Sequence, residues 1–366
     1  MKSARSVRIF TGISIATLAI SAISALAFGT VSASITKIDA FAGIDKRPDK
    51  KSSAINYLLV GSDTREGLTK AELKELRVGS VATAAGKRSD TMLLVHISKA
   101  RDKAVLVSIP RDTFALIPAH LNKAGKTIPA VHSKINSAFN WGGAPLLIQT
   151  IEEMTQLKID HYVEVNFAGF ASVIDSLGGI EVCTKKDIDD PKSHLVLPAG
   201  VHTLNGIEAL KYVRTREFDG MGDLGRMQRQ QAFMSSVLKK ATSAGVLLNP
   251  ITMTSFINSS LAAVTTDEGL KNSDLITLAK QMKSLATSNV RTLTVPLSDL
   301  NYYSNGVTAS VLWDPVLAPE LWDRLREDRA VVDEVTASPS PSSTKAAKVE
   351  IVDKFKTRTA DDNICR

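Results

Sequence analysis

The sequence predicts an α/β fold: a single αβα domain with a mixed central β-sheet, preceded by an N-terminal transmembrane helix. Three observations carry this expectation. Short apolar runs of strand character alternate with helical periodicity from residue 55 to residue 295, the pattern of a sheet covered by helices. The 366 residues are 44% hydrophobic and 23% charged, enough apolar material for one buried core, which excludes wholesale disorder and a polytopic membrane protein. Lys2, Arg5 and Arg8 precede a run from Ile9 to Thr36 without a charged side chain.

Taken in order, residues 1–8 form a basic N-terminus expected to stay in the cytoplasm, and residues 9–28 are long enough to cross a bilayer as an anchoring helix. Ala25-Leu26-Ala27 leaves a cleaved secretory signal as the alternative. In both cases the rest of the chain is extracytoplasmic. Residues 29–54 read as a polar stalk, and the domain itself is expected over 55–335. Ile55–Val60, Thr91–Ile97 and Ala104–Ile109 read as strands, with a hairpin connection over Ser98–Lys103 and a short helix at Lys70–Leu76 inside the long 64–90 loop. Ala144–Leu157 and Ala168–Leu177 have helical periodicity, the second ending at Gly178-Gly179. Tyr162–Phe167 and Ile180–Cys183 read as strands. Asn205 can cap a helix through Val213, and a long helix is expected from Leu224 to Ala244. Two more helices are expected over 249–288, then a strand at Val290–Val295. Residues 336–366 begin with a Ser/Pro-rich run and read as a disordered tail.

Composition narrows the chemistry. Lys+Arg 45 against Asp+Glu 38 leaves a net charge of +7, spread along the chain; this suits an anionic partner and not a nucleic-acid arm. Two cysteines, Cys183 and Cys365, cannot build a disulfide framework or a Cys-rich zinc site, and Cys183 reads as a small buried hydrophobe. The six histidines fall singly, His132 and His161 among them as structural residues, so any metal must use carboxylates and be a hard cation.

Strand pairing then brings charge together. If Ile55–Val60 runs antiparallel to Thr91–Ile97, Asp63 and Asp90 meet at one sheet edge, and the following hairpin returns Pro110-Arg111-Asp112 to that edge beside Arg88. Paired carboxylates with arginines suit phosphoryl chemistry: carboxylates hold a divalent cation, and guanidiniums grip phosphate oxygens in bidentate fashion. Asp63 and Asp112 equally suit turn formation, and Asp90 a turn or a salt bridge to Arg88. Further on, Arg214 and Arg216 precede Arg226 and Arg229, which share one face near the start of a helix. That face is either an anion receptor or a solvated surface partnered by Asp219 and Asp223. The stripe Phe167, Phe170, Ile174 and Leu177 reads as core.

The ordered set Val60-Gly61-Ser62-Asp63, Arg88-Ser89-Asp90-Thr91, Ile109-Pro110-Arg111-Asp112, Lys134-Ile135-Asn136, Leu177-Gly178-Gly179-Ile180, Leu204-Asn205-Gly206 and the arginines from Arg214 to Arg229 resembles the LytR-CpsA-Psr family of bacterial envelope phosphotransferases. The motif core spans residues 55–245. The resemblance implies a membrane-anchored enzyme that moves a glycopolymer phosphate from a polyprenyl-pyrophosphate carrier to peptidoglycan during cell-wall assembly. It implies that Asp63 and Asp90 hold Mg²⁺ (or Mn²⁺), that Arg111 acts with them in catalysis, and that Arg88, Arg111, Lys134, Arg214, Arg216, Arg226 and Arg229 bind the pyrophosphate. The apolar helix stripes then become candidate walls of a lipid tunnel. Partners expected on this basis are the lipid-linked glycan, peptidoglycan and the membrane, with no nucleic acid. A polyprenyl-pyrophosphate hydrolase and a non-catalytic glycolipid-binding or regulatory envelope protein remain alternatives. Two departures stand out: the long insertion between Asp63 and Arg88, and the lack after residue 300 of the extra domain some members carry.

Overall fold

The computed structural model describes residues 35–64, 67–76, 89–122, 124–216, 220, 222–241, 256, 258–271, 274, 287–336 and 349–359. In chain order these form β1 (Thr36–Ile38), β2 (Ile55–Ser62), α1 (Lys70–Leu76), β3 (Ser89–Ile97), β4 (Ala104–Ile109), β5 (Phe114–Ile117), β6 (His120–Leu121), β7 (Thr127–Ile128), β8 (Val131–Lys134) and α2 (Asn136–Thr155). They continue with β9 (His161–Val165), α3 (Phe167–Ser176), β10 (Ile180–Thr184), β11 (Ile188–Asp190), β12 (Leu195–Leu197), β13 (Gly200–Leu204), α4 (Gly206–Arg214) and α5 (Gly222–Ala241). The C-terminal part comprises β14 (Val264–Asp267), β15 (Val290–Thr294), β16 (Leu297–Ser304), β17 (Val307–Trp313), α6 (Leu317–Arg326), β18 (Asp333–Thr336), β19 (Val349–Val352) and β20 (Arg358–Thr359).

Among the described residues the central sheet has eight strands in the order β1-β14-β9-β2-β3-β4-β15-β20. It is mixed: β2 pairs antiparallel with β3 and parallel with β9, and β4 pairs antiparallel with β3 and parallel with β15. Alternation along the strands splits the core into two layers. Leu58, Val60, Met92, Leu94, Val105 and Val107 face α2 and α6, where Phe139, Leu147, Leu321 and Trp322 pack. Leu93, Leu106 and Val290 face the other way, against Met234 and Leu238 of α5. Each fully buried side chain of this kind contributes roughly 1.5–3 kcal/mol relative to exposure. Helices therefore cover both faces of the sheet, as the sequence predicts.

Behind α5 lies a smaller core of Ile174, Ile180, Leu204, Tyr212 and Phe233, joining α3, α4 and the β10–β13 pair. Asn205 caps α4 in a full capping box with Glu208. Gly206 lies so close to α3 that an added Cβ would stand 2.3 Å from the carbonyl oxygen of Ala171, so only glycine permits this helix contact.

Three expectations are corrected. The stalk read over 29–54 is in large part docked structure, because β1 joins the sheet edge beside β14, Ala40 is buried, and Arg47 pairs with Glu152 at 2.6 Å. Three residues of strand carry too little periodicity to be recognised, and their partner β14 arises where a helix was expected. The stretch read as a disordered tail contains β19, paired with β18, and β20, paired with β15, with Phe355 buried between them. Cys183 is disulfide-bonded and so is not a simple buried hydrophobe; the sequence holds one other cysteine, Cys365. The anchor reading over residues 9–28, and most of the helical reading over 249–288, lie outside the described residues. Among those described, no helix is long and apolar enough to cross a membrane.

Asp267, at the end of β14, ties this edge together. Its carboxylate accepts from the backbone N–H of Tyr162 at 3.0 Å and lies 3.3 Å from Nδ1 of His161. Burial alone would raise its pKa; the contacts from His161 and Tyr162 outweigh burial and hold it below the ordinary 3.8. A carboxylate depressed in the folded state contributes stability above its unfolded pKa, and that contribution is lost as pH falls through the depressed folded value. Asp267→Asn should therefore cost about 1–3 kcal/mol at neutral pH. Chemical unfolding across pH should show the gap to the wild type narrowing as pH falls through the ordinary carboxylate range and closing below it, at the depressed folded value. A gap that stayed constant down to that range's lower end would contradict the assignment.

Candidate functional site

The site forms where β2, β3 and β4 end together. Gly61 pairs with Thr91 and Ser62 with Ser89, so Asp90 sits at a bulge in the ladder, one residue from the partner of Gly61. Asp63 directly follows β2. The backbone thus brings Asp63 and Asp90 to the same edge, the convergence that antiparallel pairing implies. Met92 pairs with Ile109, so the next residues, Pro110-Arg111-Asp112, emerge at that edge as well.

The Arg111 loop is fixed from three sides. Asn136 donates its N–H to the Arg111 carbonyl at 3.2 Å, Ile135 donates to Thr113 at 2.8 Å, and Val311 donates to the carbonyl of Asp112 at 2.8 Å. The Asp112 carboxylate is bracketed by Arg111 Nε at 3.3 Å and Lys134 Nζ at 3.2 Å. Asp112 thereby does more than form a turn: it orders two cations that would otherwise repel each other. This bracket escapes a reading by sequence because Lys134 reaches it only through the pairing of β8 with β5.

Arg111 and Arg226 line a common cavity of about 220 Å³, together with Thr91, Met92, Gln230 and Leu300. Arg226 and Arg229 are buried, at 4% and 8% exposure, which rules out the solvated-face reading of α5. Arg229 donates to the Thr215 carbonyl at 2.6 Å, and Gln231 donates to Ser108 Oγ at 3.1 Å and Thr294 Oγ1 at 2.8 Å, pinning α5 across the strand ends. Buried guanidiniums beside a cavity are costly unless anions or dipoles meet them, a cost that an anionic ligand offsets. Near them, Tyr212 titrates above its ordinary value because of burial, with the Arg229 charge opposing that shift.

The other basic candidates lie apart from this cavity. The Arg214 guanidinium lies 5.3 Å over the Phe167 ring, a cation–π contact, and the Arg216 backbone N–H bonds the Asp190 carboxylate. Lys134 reaches the site through Asp112. Arg88 lies outside the described residues. Among the described residues no group of three or more acidic, His or Cys side chains is placed to hold a metal. The ladder places the backbone of Asp63 and of Asp90 at one edge, two carboxylate-bearing positions of the kind that Mg²⁺ takes together with phosphate oxygens and water.

The β16–β17 hairpin contributes Leu300, Ala309 and Val311 to the cavity wall, and sequence reading missed it. Its strands are polar and bulged, so alternation is weak. The available signal was Asn305-Gly306, whose φ values of 51° and 79° make the tight turn between the strands.

The LytR_cpsA_psr family model matches residues 26–319. The chain belongs to the LytR_cpsA_psr family. It is 36% identical over 276 residues to a protein of Corynebacterium glutamicum named probable cell wall biosynthesis protein LcpB, covering 75% of this chain and 62% of that one. It is 35% identical over 204 residues to TagT of Bacillus subtilis, named a polyisoprenyl-teichoic acid–peptidoglycan teichoic acid transferase, covering 54% of this chain and 56% of that one. The chain thus spans about three-fifths of the length of these relatives. Among solved structures, TagT bound to LIIa-WTA superposes with a TM-score of 0.56 at 26% identity, over 79% of this chain and 98% of that one. A LytR-Csp2A-Psr enzyme from Actinomyces oris superposes with a TM-score of 0.58 at 22% identity, a likeness of fold, over 80% of this chain and 95% of that one.

Proposed function

We propose that this protein is a membrane-anchored, extracytoplasmic, Mg²⁺-dependent phosphotransferase that joins a glycopolymer to peptidoglycan. The observation that carries the reading is the backbone convergence of Asp63, Asp90 and Arg111 at one sheet edge, where Arg111 and the buried Arg226 line a common cavity. The names of LcpB and TagT support the class of substrate. In the reaction, an acceptor hydroxyl oxygen bonds to the glycan-side phosphorus of a polyprenyl-pyrophosphate-linked glycan. The bond from that phosphorus to the bridging oxygen breaks, polyprenyl monophosphate leaves, and the hydroxyl proton passes to solvent. Asp63 and Asp90 would hold Mg²⁺, which supplies charge neutralisation at the phosphates. Arg111 contacts the reacting phosphate, and Arg226 and Arg229 hold the departing lipid-side phosphate. Arg88, Arg214, Arg216 and Lys134 extend the basic surround. The disulfide at Cys183 supports an oxidising, exported setting, and the uncharged N-terminal run supports the anchor.

The test mixes the purified full-length chain, a lipid-linked glycan and peptidoglycan fragments. Glycan-bearing fragments should form with Mg²⁺, vanish on chelation, and return when Mg²⁺ is added back. Free glycan phosphate with unmodified fragments would instead identify a hydrolase, and a donor left intact by wild-type protein would identify a binding module.

A further inference from the structure

Beside the cavity, away from α5, the outer face of the β5–β8 pair carries an aromatic cluster that the chemistry above leaves unused. Phe114 stacks on His132 with ring centres 4.9 Å apart and planes 7° from parallel. Tyr302 of β16 meets the Phe114 ring edge-on at 5.1 Å and 74°. Phe114 pairs across the strands with Lys134, the residue that grips Asp112, so the cluster starts one strand pair from Arg111. The surface is open: Leu116 is 46% exposed and Leu300 is 55% exposed. Leu300, two residues before Tyr302, itself lines the cavity, so the hairpin that carries Tyr302 also borders the cavity.

We infer that this surface is the docking platform for the acceptor, a peptidoglycan glycan strand whose sugar rings lie against Tyr302, Phe114 and His132. Two arguments select this occupant. Sugar rings present polarised C–H bonds on one face and hydroxyls at their rim, and an aromatic face with negative quadrupole meets the first while nearby polar groups meet the second. Position selects acceptor over donor. In phosphoryl transfer the attacking and leaving oxygens lie roughly in line through phosphorus. With the lipid-side phosphate on α5, the acceptor hydroxyl must arrive from the opposite wall, where Arg111, Asp112, Lys134 and the ring cluster stand. This inference rests on the transferase reading and adds to it the residues that present the acceptor.

The full-length chain is assayed with lipid-linked glycan and soluble peptidoglycan glycan strands as the acceptor probe, each varied in turn. Tyr302→Ser and His132→Ala should each raise the acceptor KM about fivefold to tenfold, the scale of a lost aromatic contact, with the donor KM unchanged. Tyr302→Phe keeps the ring face and should restore the acceptor KM. Val196→Ser, at an exposed apolar residue on β12, should change neither KM. Thermal melting of each variant separates loss of fold from loss of binding, and His132, being exposed, provides the variant that folds if Tyr302→Ser does not. A raised donor KM with an unchanged acceptor KM would overturn the inference in favour of a donor-sugar site, and no change in either would overturn it outright. Retention of the strands on immobilised protein is measured in parallel. If wild-type protein moved the glycan only to water, the transferase reading would fall; strand retention lost in Tyr302→Ser and His132→Ala would still uphold the platform, and retention unaffected by them would remove it.

Discussion

Replacing Arg111 by alanine should lower turnover by about 10²–10³, or roughly 2.7–4 kcal/mol of barrier, the scale of removing one fixed donor from a developing anion. Binding of the lipid-linked donor should change little. The difference follows from placement. Arg111 stands on the loop that immediately follows β4, held by backbone hydrogen bonds from Asn136 to its own carbonyl and from Val311 to that of Asp112. A guanidinium held in place before reaction stabilises the charge spread over phosphate oxygens in the transition state more than the charge already present in the bound donor. The substitution leaves those backbone bonds and the Lys134–Asp112 pair in place, so circular dichroism and the melting temperature should stay close to wild type. Lysine should restore little, because a point charge does not reproduce the planar fork. Equal losses in donor affinity and turnover would make Arg111 a plain binding residue.

Arg229→Ala and Arg226→Ala should behave differently, lowering both stability and donor affinity. Each guanidinium is buried, and Arg229 donates to the Thr215 carbonyl that closes α4. Losing a charge-assisted bond of this kind costs about 1.5–3 kcal/mol. The decisive comparison uses inorganic pyrophosphate as a probe. A ligand that binds only the folded state raises the melting temperature with its concentration, so wild-type protein should be stabilised by pyrophosphate and Arg226→Ala much less so. Equal stabilisation of both by pyrophosphate would move the anion site away from α5.

Much of the site's placement was legible in the sequence, for a definite reason. Asp63, Asp90 and Arg111 each lie within two residues of a strand end, and antiparallel pairing fixes which strand ends coincide. Runs such as Ile55–Val60 and Ala104–Ile109 are apolar enough to be recognised locally. What stayed hidden depends on contacts between distant segments. The burial of Arg226 and Arg229 is a property of α5 lying across β4 and β15, and the sequence around them looks like a basic solvated helix. The sheet extends to β1 and β20 through pieces of two or three residues, too short to show a period. The Asp112–Lys134 bracket depends on the pairing of β5 with β8, strands of four residues separated by β6 and β7, and the Phe114–Tyr302 contact on the β16–β17 hairpin, whose bulges conceal its alternation.

The central claim is that the bond broken lies between phosphorus and the bridging oxygen, and one labelling measurement addresses it. A lipid-linked glycan carrying ³²P only at its glycan-side phosphate is incubated with the full-length chain, Mg²⁺ and peptidoglycan strands, and the label is followed through muramidase digestion. Phosphoryl transfer predicts the label in glycan-bearing muropeptides as a phosphodiester, with unlabelled polyprenyl monophosphate released. Label retained on polyprenyl pyrophosphate while unphosphorylated glycan appears on peptidoglycan would mean that the sugar carbon–oxygen bond had broken, and would contradict the account.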